Sequence, residues 1–142
     1  MVRVDVKGVR VQRAEAGKGT PSHLAPEDRT YVILREAEGR RALDIEIGQA
    51  EAFAIGSALE GKRWKRPMTH ELLERVVVAL GATLRQVTIA EFREGVYFAE
   101  MELTDRSGDA VVVSARPSDA VAVALQVGAP IWVSEALLPD AA

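Results

Sequence analysis

The sequence predicts an α+β fold, a mixed and mostly antiparallel sheet packed by helices, in which a β-β-α unit is used twice. Three observations carry that expectation. Residues 31–47 read as a strand hairpin running into an alanine-bearing helix, and residues 97–115 repeat the pattern ahead of a second such helix. At a shift of 68 positions Glu51-Ala52-Phe53-Ala54-Ile55 falls on Asp119-Ala120-Val121-Ala122-Val123. Each helix therefore carries an acid in its first turn, where it complements the positive helix end. A further helix lies between the units, so strands and helices come in runs rather than in the strict alternation of a parallel fold.

In chain order, Val2, Val4, Val6, Val9 and Val11 predict a first strand interrupted near Gly8. Residues 15–29 hold Gly17, Gly19, Pro21 and Pro26 among polar residues and read as a flexible surface loop. Tyr31-Val32-Ile33-Leu34 is a buried strand. On its return partner Leu43, Ile45 and Ile47 alternate with Asp44 and Glu46, giving one apolar and one acidic face. A helix from Gln49 to Leu59 sets Ala52, Ile55 and Leu59 on one side, with Gly61 past its end. For the next helix, after Pro67, Thr69 reads as the N-cap, Met68 and Leu73 as the hydrophobic staple, and Gly81 as the stop. Leu84, Val87 and Ile89 predict a strand, a turn falls at Glu94-Gly95, and Tyr97–Leu103 pairs with Ala110–Ala115 around Ser107-Gly108. Pro117 suits the first turn of a helix that ends at Gly128. Residues 120–125 make that helix apolar nearly all round, so it is buried in the domain or against a second subunit. Ile131-Trp132-Val133 is a short last strand.

Composition narrows the class. A chain of 142 residues suits one domain, taken as residues 1–138 with 139–142 as a tail. Cysteine is absent, which excludes a disulfide framework, a thiol nucleophile and a thiolate metal site. No apolar run approaches the roughly 20 residues of a spanning helix, and Met1–Lys7 alternates instead of forming a signal-peptide core. A soluble, cytoplasmic protein with no membrane partner is the expectation. Charge is uneven: residues 1–70 hold 13 Lys/Arg and 10 Asp/Glu, whereas residues 71–142 hold 5 and 11. Such asymmetry suits a polyanion or a second copy of the chain, but ordinary surface charge is a plainer explanation than either.

Candidate chemistry gathers at two Arg-Pro corners. In Ala115-Arg116-Pro117-Ser118-Asp119-Ala120, the proline pushes Arg116 toward extended backbone, and its guanidinium is shaped for bidentate phosphate contact. Asp119 could serve as a base or hold a metal, while Ser118 and Asp119 equally suit the bland work of satisfying helix-start N–H groups. In Arg66-Pro67-Met68-Thr69-His70, His70 is a candidate general acid or base at a helix start. Asp44 and Glu46, two residues apart on one strand face, could share a hard cation with Glu51 and Glu100, or simply form a wet face. Lys62, Arg63, Lys65 and Arg66 surround Trp64, pairing cations for phosphate with a ring for base stacking; a solvated linker with Trp64 docked on the core explains the segment equally. There is no Gly-rich phosphate loop and no nucleophile elbow.

Taken together, Ile47-Gly48 with Glu51-Ala52, Arg66-Pro67 with Thr69-His70, and Arg116-Pro117-Ser118-Asp119-Ala120 resemble the bifunctional nuclease family. The resemblance runs from Val4-Asp5-Val6-Lys7-Gly8-Val9 to Ala129-Pro130-Ile131-Trp132-Val133. It implies an α+β fold, a homo-oligomer and nuclease activity on DNA and RNA. The chain departs from the family at Ser114, where members tend to carry aspartate, at Asp44, where they tend to carry proline, and at Glu46, near a usual aromatic. On the matching positions, His70, Asp119, Glu51 and Arg116 are the expected catalytic set, with a divalent cation such as magnesium as an allowed cofactor. Lys62, Arg63, Trp64, Lys65, Arg66 and Ser118 are the expected nucleic-acid contacts. The alternative is a noncatalytic oligomeric module that binds nucleic acid or protein.

Overall fold

The computed structural model describes residues 1–14 and 24–140. It contains strands β1 (Val2–Gln12), β2 (Arg29–Glu36) and β3 (Ala42–Ile47), then helices α1 (Gln49–Leu59) and α2 (Thr69–Ala79). Strands β4 (Thr83–Arg93), β5 (Val96–Thr104) and β6 (Ala110–Ala115), helix α3 (Pro117–Val127) and strand β7 (Ile131–Val133) follow, and Glu135–Leu137 makes a closing 3-10 turn. The seven strands form one sheet in the order β3-β2-β1-β7-β4-β5-β6. Neighbours are antiparallel except β4 and β7, which run parallel. The expected α+β architecture is present.

The duplication is longer than a β-β-α unit. Three antiparallel strands precede each outer helix, β1-β2-β3-α1 and β4-β5-β6-α3, and β7 fills the seam between the two halves. A shift of 68 carries β3 onto β6 and α1 onto α3 residue for residue. Because β7 is antiparallel to β1 and parallel to β4, the two halves run in opposite directions, as a twofold relation demands.

Period-2 alternation places the core. Val32 and Leu34 of β2, Leu43, Ile45 and Ile47 of β3, and Val87 and Ile89 of β4 are buried toward the helices. Helix α1 covers β1 and β2, and α3 covers β4 and β5. Ala120–Ala124 are all buried, so the nearly all-apolar helix lies inside the fold, where small side chains let α1 and α3 pack closely. In β1 the register shifts between Val6 and Gly8, and Gly8 sits at φ 154, outside the range that L side chains favour, so the interruption is a bulge.

Two local expectations are corrected. Thr69 is the first helical residue, not the cap; Met68 holds the N-cap position in extended geometry with no side-chain cap bond. Pro67 accounts for the shift, since it favours extended backbone at Arg66 and cannot itself donate to a turn. Met68 and Leu73 both remain exposed, so they form no buried staple. Second, Asp44 and Glu46 do not meet Glu51 or Glu100. They lie on the sheet face away from α1 and its Glu51, and β3 is far from the Glu100 strand β5 in the strand order; Asp44 pairs with Arg10 at 3.2 Å and Glu46 with Arg29 at 3.7 Å. Of the 15–29 loop, residues 15–23 lie outside the described residues, and the turn that follows them is held by hydrogen bonds.

The pin is Asp28, which accepts N–H donation from Ala14 at 2.9 Å and from Ala25 at 2.8 Å, with Arg13 at 3.5 Å. Gln49 adds its side-chain amide to the carbonyls of Ala25 (2.8 Å) and Asp28 (3.1 Å), tying this turn to the start of α1. The two backbone donors hold the Asp28 carboxyl below its ordinary value of 3.8. A depressed folded value means that the stabilisation is complete above pH 3.8 and is lost as acid takes the group down through its folded value. Glu36 and Glu135, both bonded to Arg41, are depressed too and carry the same sign. Asp28→Asn is therefore expected to lower stability at neutral pH and to match the native chain near pH 2, by denaturant melts at both values. A stability difference that stays constant with pH would refute this.

Candidate functional site

The ends of β3 and β6 and the starts of α1, α2 and α3 bring four predicted residues into contact. Arg116 leaves β6 in extended geometry (φ −69°, ψ 143°), as the residue before Pro117 must, and becomes the N-cap of α3. Its Nε donates to Asp119 Oδ2 at 2.9 Å, one turn further along the same helix. Its Nη2 reaches Glu51 Oε1 in the first turn of α1, also at 2.9 Å. The other oxygen of Asp119 meets Nε2 of His70, from the first turn of α2, at 2.9 Å.

Electrostatics fix the protonation pattern. Burial alone would raise the Asp119 carboxyl, but hydrogen bonds from His70 and Arg116 outweigh it and hold the group below 3.8. An ionised carboxylate accepts, so Nε2 of His70 is the donor, and Nδ1 is left without a protein partner among the described residues. Asp119 first and Glu51 second raise the Arg116 pKa, keeping the guanidinium charged. Arg116 is nonetheless 65% exposed, and its Nη1 has no partner among the described residues. The group resembles a braced cation: two carboxylates set its plane, and one edge faces solvent.

The duplication explains the geometry. Glu51 and Asp119 occupy equivalent positions of α1 and α3, so both reach Arg116 from first turns. The position equivalent to Arg116 is Gly48, and a Cβ there would stand 2.3 Å from Glu51 Oε2. Gly48 has an ordinary φ of −67°, so its requirement is space and not backbone freedom. Gly48→Ala is expected to push the Glu51 carboxylate off Arg116 at a stability cost below about 1 kcal/mol, because only a flexible chain end must move. Comparing the variant's crystal structure and melting temperature with those of the parent checks both parts.

A cleft of about 660 Å³ opens on this cluster, with Met68, Leu73, Met101 and Val113 as apolar walls and Glu51, His70, Arg116 and Asp119 at its polar end. Ser114 lies on its rim, opposite Glu100 on β5. Ser118 is buried beneath the corner and lines a second pocket on the far side of Arg116. Of the basic segment, Trp64 stacks on Phe53 with centroids 5.7 Å apart, and Lys62 lies 4.1 Å over the Trp64 ring. Arg63 pairs with Glu74 at 3.3 Å. This segment borders His70 through a small void that Trp64, His70 and Glu71 share, and it does not join the Arg116 cluster.

Glu71 is a residue that sequence reasoning missed. It is 2% exposed, and its Oε2 has no hydrogen-bond partner among the described residues. An acid in a helix's first turn reads as solvated, and only the packing of α2 against α3 buries it. No group of three or more His, Asp and Glu side chains is placed to hold a metal ion among the described residues. Both oxygens of Asp119 are taken, by His70 and Arg116, and Glu51 gives Oε1 to Arg116, so among the described residues Glu51 Oε2 is the carboxylate oxygen this cluster leaves for a divalent cation. Among the described residues, no helix is long and apolar enough to cross a membrane.

Comparison with known proteins agrees with the motif pattern. The family model described as the bifunctional nuclease domain matches residues 32–142. Two relatives from Mycobacterium tuberculosis, uncharacterized protein Rv1829 of strain H37Rv and uncharacterized protein MT1877 of strain CDC 1551, are each 42% identical over 141 residues. The alignment covers 99% of this chain and 76% of each relative. With a match spanning both halves of the duplicated sheet and all four clustered residues, this chain belongs to the bifunctional nuclease domain family.

Proposed function

We propose that the protein hydrolyses phosphodiester bonds in DNA and RNA, with His70, Asp119, Arg116 and Glu51 as its working set. The observation that carries this reading is the contact chain His70–Asp119–Arg116–Glu51 at the end of an open cleft, each link 2.9 Å. Asp119 fixes the His70 ring and leaves Nδ1 to exchange a proton with the substrate. Arg116 offers its unpaired Nη1 edge to a phosphate oxygen, and Glu51 holds that guanidinium in plane. Water adds to phosphorus as Nδ1 of His70 takes its proton, the P–O bond to the leaving oxygen breaks, and that oxygen takes the proton back from His70. Two carboxylates already offset Arg116, so a proton on His70 is the positive charge this cluster can add as the phosphate arrives.

The test is cleavage of labelled single-stranded DNA and RNA by highly purified protein, with the His70→Ala/Asp119→Ala double variant prepared in parallel. Assays with magnesium and with a chelator report whether a cation displaces Arg116. Cutting that survives in the double variant sinks the residue assignment. The binding-module reading has its own support, since Arg116 already has carboxylate partners and Lys62 stacks on Trp64. Under that reading, wild type binds oligonucleotides with a steep salt dependence and cuts none.

The homo-oligomer implied by the family is proposed to form through β6. This edge strand carries Val111, Val112 and Val113, the middle one 56% exposed, and residues 110–115 hold no charge or proline to blunt the edge. Antiparallel pairing of β6 with its copy is self-complementary, as a twofold interface requires. Val112→Lys is expected to convert a dimer to monomer in light scattering; an unchanged mass would exclude this edge.

A further inference from the structure

Arg116 does not sit at the end of one cavity; it stands between two. On its far side from the 660 Å³ cleft lies a pocket of about 500 Å³, and Arg116 lines both. The second pocket is built by the end of β3 (Ile45–Gly48), the tip of the β4–β5 hairpin (Gly95–Tyr97) and the start of α3 (Arg116–Ser118). Strands β3 and β5 are far apart in the strand order, so the sheet must curl for their ends to share a pocket. The hairpin tip is a tight reversal with Glu94 at φ 51° and Gly95 at φ 79°, and it holds the Tyr97 ring against Phe92 with centroids 4.4 Å apart.

The walls suit a flat, partly apolar ligand with polar edges. Ile47, Val96, Pro117 and the Tyr97 ring supply apolar surface, while the Ser118 and Tyr97 hydroxyls and the Glu46 carboxylate supply hydrogen-bonding groups. Burial raises the Tyr97 pKa, so that hydroxyl keeps its proton and can donate. Each pocket falls within the roughly 300–1,000 Å³ of small-molecule sites. With the braced guanidinium between them, we infer that the second pocket is a nucleoside subsite. One flanking nucleoside lies against Tyr97, Val96 and Pro117, the linking phosphate lies at Arg116, and the next nucleoside enters the cleft walled by Met68, Leu73 and Val113. This deepens the nuclease reading and rests on it: the substrate is engaged as a dinucleotide step of a single strand, since a paired base could not enter a pocket at a hairpin tip.

Titration calorimetry with three probes tests the assignment: inorganic phosphate, a mononucleotide, and a phosphorothioate-linked dinucleotide that resists cleavage. Wild type is expected to bind the dinucleotide about 10-fold or more tighter than the mononucleotide. Tyr97→Leu, which keeps an apolar side chain in the core-facing position, is expected to weaken the dinucleotide by about 5- to 100-fold, the range of one lost base–aromatic stack. Val96 is 52% exposed, so Val96→Asn leaves the core untouched and is expected to weaken the dinucleotide in the same direction. Inorganic phosphate, which reaches only Arg116, should bind all three proteins alike. If wild type binds and cuts oligonucleotides but neither substitution changes dinucleotide affinity, the subsite is wrong and the nuclease reading stands. If wild type binds neither phosphate nor dinucleotide, both fall together.

Discussion

Asp119→Asn is expected to lower the cleavage rate on single-stranded DNA by about 10²- to 10⁴-fold, the range of a disabled proton-transfer group. Asparagine keeps the size of the side chain but removes the charge that serves two partners at once. One oxygen of Asp119 holds the His70 ring and the other holds Arg116, each at 2.9 Å. An amide can satisfy only one of these two donors with its carbonyl, and its NH₂ group faces the other as a second donor. Either the imidazole turns or the guanidinium swings out, and both outcomes disturb the arriving phosphate. The carboxylate is partly exposed, so the fold should tolerate the change, which circular dichroism and a thermal melt will show. A folded Asp119→Asn protein that cuts at the parental rate removes Asp119 from the mechanism. Substrate affinity measured alongside separates the two routes: loss of rate alone implicates His70, and loss of affinity implicates Arg116.

The largest expected effect on stability belongs to Ile55. Its side chain is fully buried on α1, within the layer where α1 packs against α3 and the sheet. The facing helix is built from Ala120, Val121, Ala122, Val123 and Ala124, short side chains that cannot extend into a void. Ile55→Ala is accordingly expected to cost about 2–5 kcal/mol, toward the upper end because the site collapses poorly. Equilibrium urea unfolding of the two proteins measures it, and a loss under 1 kcal/mol would mean that the α1–α3 seam is looser than its burial suggests. Activity should fall with it, because the same seam sets the spacing between Glu51 and Arg116.

Much of the fold was legible because its determinants are local. Alternation in Leu43–Ile47, the Pro117 and Gly128 boundaries of α3 and the Gly8 interruption each act over a few residues, and each appears where the pattern places it. The repeat was legible in part: the Glu51/Asp119 match is real and extends to whole elements. Contacts between distant segments were not legible. Nothing local to Asp44 reveals that Arg10 neutralises it from across β2, and nothing local to Glu71 reveals its burial where α2 packs on α3. Gly48 was visible as part of a motif, but its reason was not, because an unremarkable φ hides a steric demand made by Glu51 three residues later. Of the candidate site, His70, Glu51, Arg116 and Asp119 do converge, while the 62–66 segment stands apart on Phe53.

Gly48 and Arg116 have a consequence for how such a cluster could arise. They are the same position in the two halves of a twofold-related chain, and one must be bare so that the other can be braced. Two separate but identical half-chains, associated as a symmetric pair, would be obliged to place the same residue at both. Two arginines would crowd each other and Glu51; two glycines would leave Glu51 and Asp119 facing each other without a counterion. Joining the halves in one polypeptide lifts that obligation. Covalent linkage here does more than hold the sheet together: it lets a symmetric scaffold carry a site with only one cation, pointing one way.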